Sequence, residues 1–101
     1  MPKDVVALII DGLPVSTAHS FPVVDPATEE IIAEVASADE DTVRAALTAA
    51  EKAFGPWSQT PPAERKAVVL RYVSLLEHEG ERLADLLVRE AGKPYETAAY
   101  E

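Results

Sequence analysis

The 101-residue sequence contains no cysteine, few aromatic residues and comparatively few basic residues. Without cysteine, the chain can form no disulfide, no thiolate metal site and no cysteine nucleophile. Its 18 acidic residues against 9 basic ones give a net charge of -9, which repels nucleic-acid phosphates and anionic lipid. We therefore expect neither a nucleic acid nor a membrane surface as a partner.

Long hydrophobic runs are also missing. The apolar run at residues 5–10 ends at Asp11-Gly12, which makes it too short for a signal peptide, and no stretch is long enough to span a bilayer. These features predict a soluble, cytoplasmic protein. Hydrophobic residues make up 48% of the chain, but 17 residues are alanine and only 6% are aromatic, so we expect a modest core.

Glycine occurs only at positions 12, 55, 80 and 92, so the chain has no G-x-G-x-x-G dinucleotide fingerprint. The pair Gly92-Lys93 superficially resembles a phosphate-binding loop. That loop requires a second glycine five residues earlier and Ser or Thr after the lysine, whereas Pro94 follows here. A glycine after a helix is typical of a C-cap, and a lysine there complements the negative helix end. We interpret the pair as structural.

Three segments rich in β-branched residues predict short strands: residues 5–10, 21–24 and 31–35. The sequence DPATEE at residues 25–30 separates the last two. Asp25 and Pro26 suit the first two positions of a type I turn, in which the Asp25 carboxylate accepts backbone N–H bonds. The last two strands are therefore predicted to form a hairpin.

The hydrophobic period becomes helical after residue 36. Ser37 and Glu40 fit a capping box, and the helix that follows is predicted to stop near residue 54 because Gly55-Pro56 comes next. A second helix is predicted from the paired prolines at 61 and 62 to about residue 79. Its apolar face consists of Val68, Val69, Tyr72, Val73, Leu75 and Leu76.

A third helix is predicted around Leu83, Leu86 and Leu87 and ends near Ala91. Pro94 prevents its simple continuation, and residues 95–101 begin a fourth helix that the chain does not complete. Because the sequence ends within an element, we expect a truncated chain.

Strands followed by helices indicate an α+β arrangement. We divide it into an N-terminal segment of strands and hairpin, residues 1–36, and a helical segment, residues 37–101. Two or three short strands form only a marginal sheet. One sheet face and several alanine-rich helix faces must therefore pack on another surface.

No group of residues has the pattern of an active site. His19 and His78 each lack a second ligand at a suitable spacing, the serines lack a nucleophile-elbow context, and Trp57 is typical of a packing anchor. An acidic carrier protein of similar size needs Asp-Ser-Leu for its prosthetic arm. The nearest string here is Asp11-Gly12-Leu13, so we set this hypothesis aside.

Taken in order, several motifs resemble the N-terminal region of the NAD(P)-dependent aldehyde dehydrogenase superfamily. They are LIIDG at residues 8–12, FPVVDPATEEIIAEV at 21–35, AFGPWS at 53–58, PPAER at 61–65 and EAGKP at 90–94. The chain departs from the family at Glu29, where relatives have glycine, and at Ala91, where they have threonine. If Glu29 adopts the glycine's left-handed conformation, it costs about 1 kcal/mol.

The resemblance implies a fragment of the α/β aldehyde dehydrogenase fold, whose helices pack on a dinucleotide-binding domain absent from this chain. It implies oxidation of an aldehyde to a carboxylic acid, with NAD or NADP as the cofactor of the full-length enzyme. The family's cysteine nucleophile, general-base glutamate, cofactor loop and oxyanion-stabilising asparagine all lie beyond residue 101. We therefore expect this chain to hold no cofactor and no catalytic residue, and to be inactive alone.

Two further expectations follow from the resemblance. The first is a structural monovalent-cation site formed by the backbone carbonyls of Val23 and Val24 and the carboxylate of Glu90; the alternative is that Glu90 is simply exposed near a helix end. The second concerns partners, namely the remainder of an aldehyde dehydrogenase fold or a full-length homologue, with full-length relatives forming homo-oligomers. A different functional class also stays open, in which the chain is a small non-catalytic interaction module that binds a full-length aldehyde dehydrogenase.

Overall fold

The computed structural model describes residues 4–101, which contain five strands and four helices. In chain order the elements are β1 (Val5–Val6), β2 (Leu8–Ile10), β3 (Leu13–Val15), β4 (Ser20–Val24), β5 (Ile31–Ala36), α1 (Glu40–Gln59), α2 (Pro62–His78), α3 (Gly80–Ala91) and α4 (Tyr95–Tyr100). They belong to two compact units. The first contains residues 4–23 and Ile31–Gln59, and the second contains Val24–Glu30 and Thr60–Glu101.

The first unit contains a three-stranded sheet in the order β1-β5-β4. β1 runs parallel to β5, with Val5 opposite Glu34 and Val6 opposite Val35. β4 and β5 are hydrogen-bonded neighbours, as predicted, and each is one residue longer than expected. The sheet is as short as the sequence indicated, and its only fully buried residue is Ala36.

The prediction of one strand over residues 5–10 is wrong. The segment divides at Ala7 into β1 and β2, and β2 pairs instead with β3 in a separate antiparallel hairpin. Asp11 and Gly12 connect these strands with φ of 54° and 74°, the positive values that a type I′ turn requires at both central positions. β3 escaped sequence prediction because Pro14 interrupts its apolar run, and proline is restricted to strand edges.

Helix α1 differs from its prediction at both ends. It begins at Glu40, and its cap is Asp39 rather than Ser37. The Thr42 backbone N–H donates to Asp39 Oδ1, and the Asp39 N–H donates to Thr42 Oγ1, each over 2.8 Å. The backbone bond from Thr42, reinforced by that from its hydroxyl, holds the pKa of Asp39 below its usual value of 3.8. The reciprocal pair therefore replaces the predicted capping box.

The predicted stop near residue 54 is also wrong, because α1 continues through Pro56 to Gln59. A proline normally disfavours helical geometry in the preceding residue, since its ring meets that residue's Cβ. Gly55 has no Cβ and tolerates the helical conformation. Ser58 Oγ donates to the Gly55 carbonyl over 2.8 Å, which satisfies one acceptor in the final turn.

In the second unit, α2 starts at Pro62 and α3 ends at Ala91, as predicted. Glu79 separates α2 from α3, and α3 contacts both α2 and α4. The fully buried residues of this unit are Ala84 on α3 and Ala98 on α4. No residue of α2 is buried. The predicted apolar face of α2 is therefore present but uncovered.

The structure confirms that Glu29 occupies a left-handed position, with φ of 62°. We predict that Glu29→Gly raises the free energy of unfolding by about 1 kcal/mol, because the steric cost that Cβ imposes in this conformation disappears. Equilibrium urea unfolding measures the change. Glu29→Ala is the matched control, since it removes the carboxylate but keeps Cβ. An equal gain in both variants would show that charge, and not backbone strain, is responsible.

Candidate functional site

In the DPATEE turn, residues 25–30, the Asp25 carboxylate accepts backbone N–H bonds, as the sequence predicted. Asp25 Oδ1 accepts the Ala27 backbone N–H at 2.8 Å and the Thr28 N–H at 3.4 Å. The Asp25 carbonyl also accepts the Glu29 N–H at 2.8 Å, and Glu30 N–H donates to Thr28 Oγ1 at 3.3 Å. The turn therefore satisfies its own backbone groups while it holds Glu29 at positive φ.

The end of α3 lies against this turn. Gly92 adopts φ of 68° and ψ of 22°, and its N–H donates to the Val88 carbonyl over 2.9 Å. A Cβ on Gly92 would lie 3.0 Å from Pro26 Cγ. Glycine is thus required twice at this position, by the backbone conformation and by the closeness of the turn. This contact joins two of the family-like motifs, DPATEE and EAGKP, within the second unit.

Lys93 is held in a structural interaction. Its Nζ forms an ion pair with Glu101, across α4. The left-handed Gly92 and the helix that precedes it confirm that Gly92-Lys93 closes a helix instead of forming a phosphate-binding loop. The interpretation drawn from the sequence therefore holds for this motif.

The three candidate cation ligands are distributed over the two units. Val23 belongs to the first unit, whereas Val24, the last residue of β4, and Glu90, in the last turn of α3, belong to the second. Glu90 is exposed. Pro26 and Gly92 bring the segment after Val24 against the end of the helix that carries Glu90. Among residues 4–101, no group of three or more His, Cys, Asp or Glu side chains could hold a metal ion.

Neither histidine belongs to such a group. The His19 carbonyl accepts hydrogen bonds from the Ser37 N–H at 2.8 Å and the Thr17 hydroxyl at 2.9 Å, so this residue joins loop segments through its backbone. His78 is the last residue of α2. Trp57 lies near the end of α1 and is 44% exposed.

The residues present do not fit a dinucleotide cofactor. The first unit has an open groove of about 340 Å³ beside β2 and α1, and its lining is mainly apolar, including Ile9, Val43 and Leu47. A dinucleotide site needs backbone N–H groups converging on the pyrophosphate, usually from a glycine-rich turn at a helix start. The sequence has no such turn, so we assign no cofactor contact to this chain.

The turn and the helix end described above both lie within a region that matches a known protein family. Residues 14–101 match the Aldehyde dehydrogenase family. The chain belongs to this family. It is 41% identical over 96 residues to a mitochondrial benzaldehyde dehydrogenase of Antirrhinum majus, and 39% identical over 92 residues to a 1-pyrroline-5-carboxylate dehydrogenase of Bacillus licheniformis. These alignments cover 91% and 90% of the chain but only 18% of each relative.

Solved aldehyde dehydrogenases show the same fold over this region. The NAD+ complex of the Bacillus cereus enzyme superposes with a TM-score of 0.90 at 35% identity, covering 97% of our chain and 21% of that one. An NAD-dependent aldehyde dehydrogenase from Sinorhizobium meliloti gives 0.90 at 32% identity, covering 98% and 21%. The chain therefore corresponds to about one fifth of its relatives' length, a small N-terminal fraction.

No helix in residues 4–101 is both long enough and apolar enough to cross a bilayer.

Two features of this region escaped the sequence analysis. The reciprocal Asp39–Thr42 cap has a local signal, an aspartate followed three residues later by threonine, which the neighbouring serine obscured. The contact of Pro26 with Gly92 has no local signal, because the two residues are far apart in sequence and are brought together only by the fold.

We predict that Gly92→Ala destabilises the chain by about 1–2 kcal/mol, because the new Cβ is strained at positive φ and crowds Pro26. Thermal or urea unfolding measures this loss. Gly80→Ala is the control, since a Cβ there meets nothing within 4 Å and its φ is not positive. If both variants unfold at the same denaturant concentration, the close approach of the turn is not a constraint.

Proposed function

We propose that this chain is the N-terminal portion of an NAD(P)-dependent aldehyde dehydrogenase, an oxidoreductase that converts an aldehyde to a carboxylic acid. The observation that carries the proposal is the continuous match over residues 14–101, together with superposition of 97% of the chain on a relative solved with NAD+. The relatives are named for different substrates, from benzaldehyde to 1-pyrroline-5-carboxylate, and these names support aldehyde oxidation as the class of reaction.

In this proposal the chain supplies structure and no reacting group. It has no cysteine to attack an aldehyde and no glycine-rich turn to hold a dinucleotide. Its strands, the DPATEE turn and the helices α1 to α4 form a framework on which the remaining polypeptide assembles. NAD or NADP is bound by that remaining polypeptide. A cytoplasmic location and homo-oligomeric assembly of the complete enzyme belong to the proposal through family resemblance alone.

Fusion tests the assignment directly. We expect a chimera that joins this chain to the part of the Bacillus cereus enzyme following the matched region to fold and to reduce NAD+ when aldehyde is added. The isolated chain should produce no reduced nicotinamide with NAD+ or NADP+, because it holds no nucleophile. The intact Bacillus cereus enzyme is the positive control. An inactive, unfolded chimera, or turnover by the isolated chain, would contradict the proposal.

We also propose that the carbonyls of Val23 and Val24 and the Glu90 carboxylate hold a structural monovalent cation in the complete enzyme. The contact between Pro26 and Gly92 supports the part of this proposal that concerns Val24 and Glu90. Replacing Na⁺ and K⁺ by a bulky organic cation should lower the melting temperature of the chimera. Glu90→Gln should abolish that salt-specific difference, whereas Glu96→Gln, on α4, should preserve it. Identical melting temperatures in Na⁺, in K⁺ and in the organic cation would contradict the proposed cation site.

The exposed apolar residues of α1 and α2 favour one alternative, a non-catalytic module that binds an intact aldehyde dehydrogenase. The two functions differ in what they bind. If the chain is the N-terminal portion of the enzyme, it cannot bind an intact enzyme, because the enzyme's own N-terminal region already occupies that place. If the chain is a separate module, it binds the intact enzyme. Size-exclusion chromatography of the chain with the intact Bacillus cereus enzyme distinguishes the two functions. Co-elution supports the binding module, and separate elution supports the N-terminal portion of the enzyme.

A further inference from the structure

The hairpin of β2 and β3 has one edge that can accept another strand. Ile10 and Leu13 flank the two-residue turn Asp11-Gly12 and form the hydrogen-bonded pair that closes it. In an antiparallel ladder such pairs alternate with pairs whose N–H and C=O groups point away from each other. Ile9 and Pro14 form the next pair. The backbone groups of these two residues therefore face the outer edges of the hairpin.

The two outer edges differ in what they offer. Pro14 has no N–H, so the edge of β3 presents only a carbonyl at this position and is a poor template for another strand. Ile9 presents both an N–H donor and a carbonyl acceptor at the edge of β2. In the described part of the chain, the sheet that contains β2 has only two strands, β2 and β3. The free edge of β2 is therefore the edge to which a strand can be added.

The groove of about 340 Å³ lies beside the free edge of β2. Leu8, Ile9 and Ile10 line it together with residues of α1 that include Val43 and Leu47, and no residue of β3 takes part. Ile9, Val43 and Leu47 are exposed, so the groove is open to another polypeptide. Because successive side chains of a strand point to opposite faces, every second residue of an added strand can point into the groove. Apolar residues at those positions would cover it.

The small size of this edge decides which polypeptide fits. Within the three residues of β2, only Ile9 directs its backbone groups outward, so an added strand gains few hydrogen bonds there. A separate protein must offset about 4–15 kcal/mol of association free energy, and stable interfaces bury about 1,200–2,000 Å². A second copy also carries the same net charge of -9, which opposes association. A strand on the same polypeptide avoids most of this cost, because its pairing is intramolecular.

We propose that a strand of the polypeptide that follows residue 101 in the complete enzyme pairs with the free edge of β2 through Ile9 and covers the groove with apolar side chains. Solved relatives are about five times longer than the matched region, so the complete fold contains ample polypeptide to supply this strand. A third strand also stabilises the hairpin, because two strands alone are only marginally stable. This inference rests on the proposed function, since the added strand belongs to the remainder of the aldehyde dehydrogenase.

Amide hydrogen exchange tests the pairing in the chimera with the Bacillus cereus enzyme. Ile9 and Ile10 are adjacent and have the same side chain, so their unprotected amides exchange at similar rates. Ile10 N–H is the internal control, because the hairpin itself already binds it. We expect the Ile9 N–H to exchange within about tenfold of the Ile10 N–H. Faster exchange of Ile9 than this, in a folded chimera, would show that the edge is free and would overturn the proposal.

Substitution at Ile9 provides the second test. Ile9→Pro removes the outward N–H but leaves the bonds between Ile10 and Leu13, whereas Ile9→Val, the matched control, keeps the N–H and a β-branched apolar side chain. In the chimera, Ile9→Pro should melt at least about 2 °C lower than Ile9→Val, with the Ile10 N–H still protected. Equal melting of the two variants would contradict the pairing. If Ile9→Pro breaks the hairpin, exchange in the unsubstituted chimera still decides the question.

The outcomes separate this inference from the function on which it rests. A chimera that neither folds nor oxidises aldehyde contradicts the proposed function. A folded, active chimera whose Ile9 N–H exchanges freely contradicts only the strand pairing. Sedimentation of the isolated chain should show a monomer. A dimer that dissociates on Ile9→Pro would assign the free edge of β2 to a second copy and overturn the assignment.

Discussion

The structure depends on one constraint, which is that its elements have little large apolar surface to bury against one another. The fully buried residues in the described part of the chain are three alanines, Ala36, Ala84 and Ala98. Burying an alanine removes little area from water, so the hydrophobic contribution from these positions is small. Larger side chains such as Leu47, Phe54 and Tyr72 stay mainly exposed. The apolar content of the sequence is therefore arranged for contacts that this chain does not itself complete.

Local hydrogen bonds add stability where the small hydrophobic core contributes little. Asp39 and Thr42 cap α1 reciprocally, the Asp25 carboxylate closes the turn after β4, and Gly92 ends α3 in the left-handed conformation. These devices fix where elements begin and end without needing a core. Asp25 and Gly92 lie in motifs that resemble the aldehyde dehydrogenase family, so two of the short motifs that identified the family also have a structural role.

The sequence by itself determined the helices α2 and α3, the strands β4 and β5 with their turn, and the family, because capping residues, turn residues and hydrophobic period act within a few positions of one another. The resemblance also singled out Glu29 as a position where relatives have glycine, and the structure gives Glu29 a φ of 62°. Only the tertiary structure decided that residues 5–10 supply strands to two sheets and that Pro26 packs on Gly92. These features depend on groups distant in the sequence, and strand pairing and burial are set by such neighbours and not by local preference.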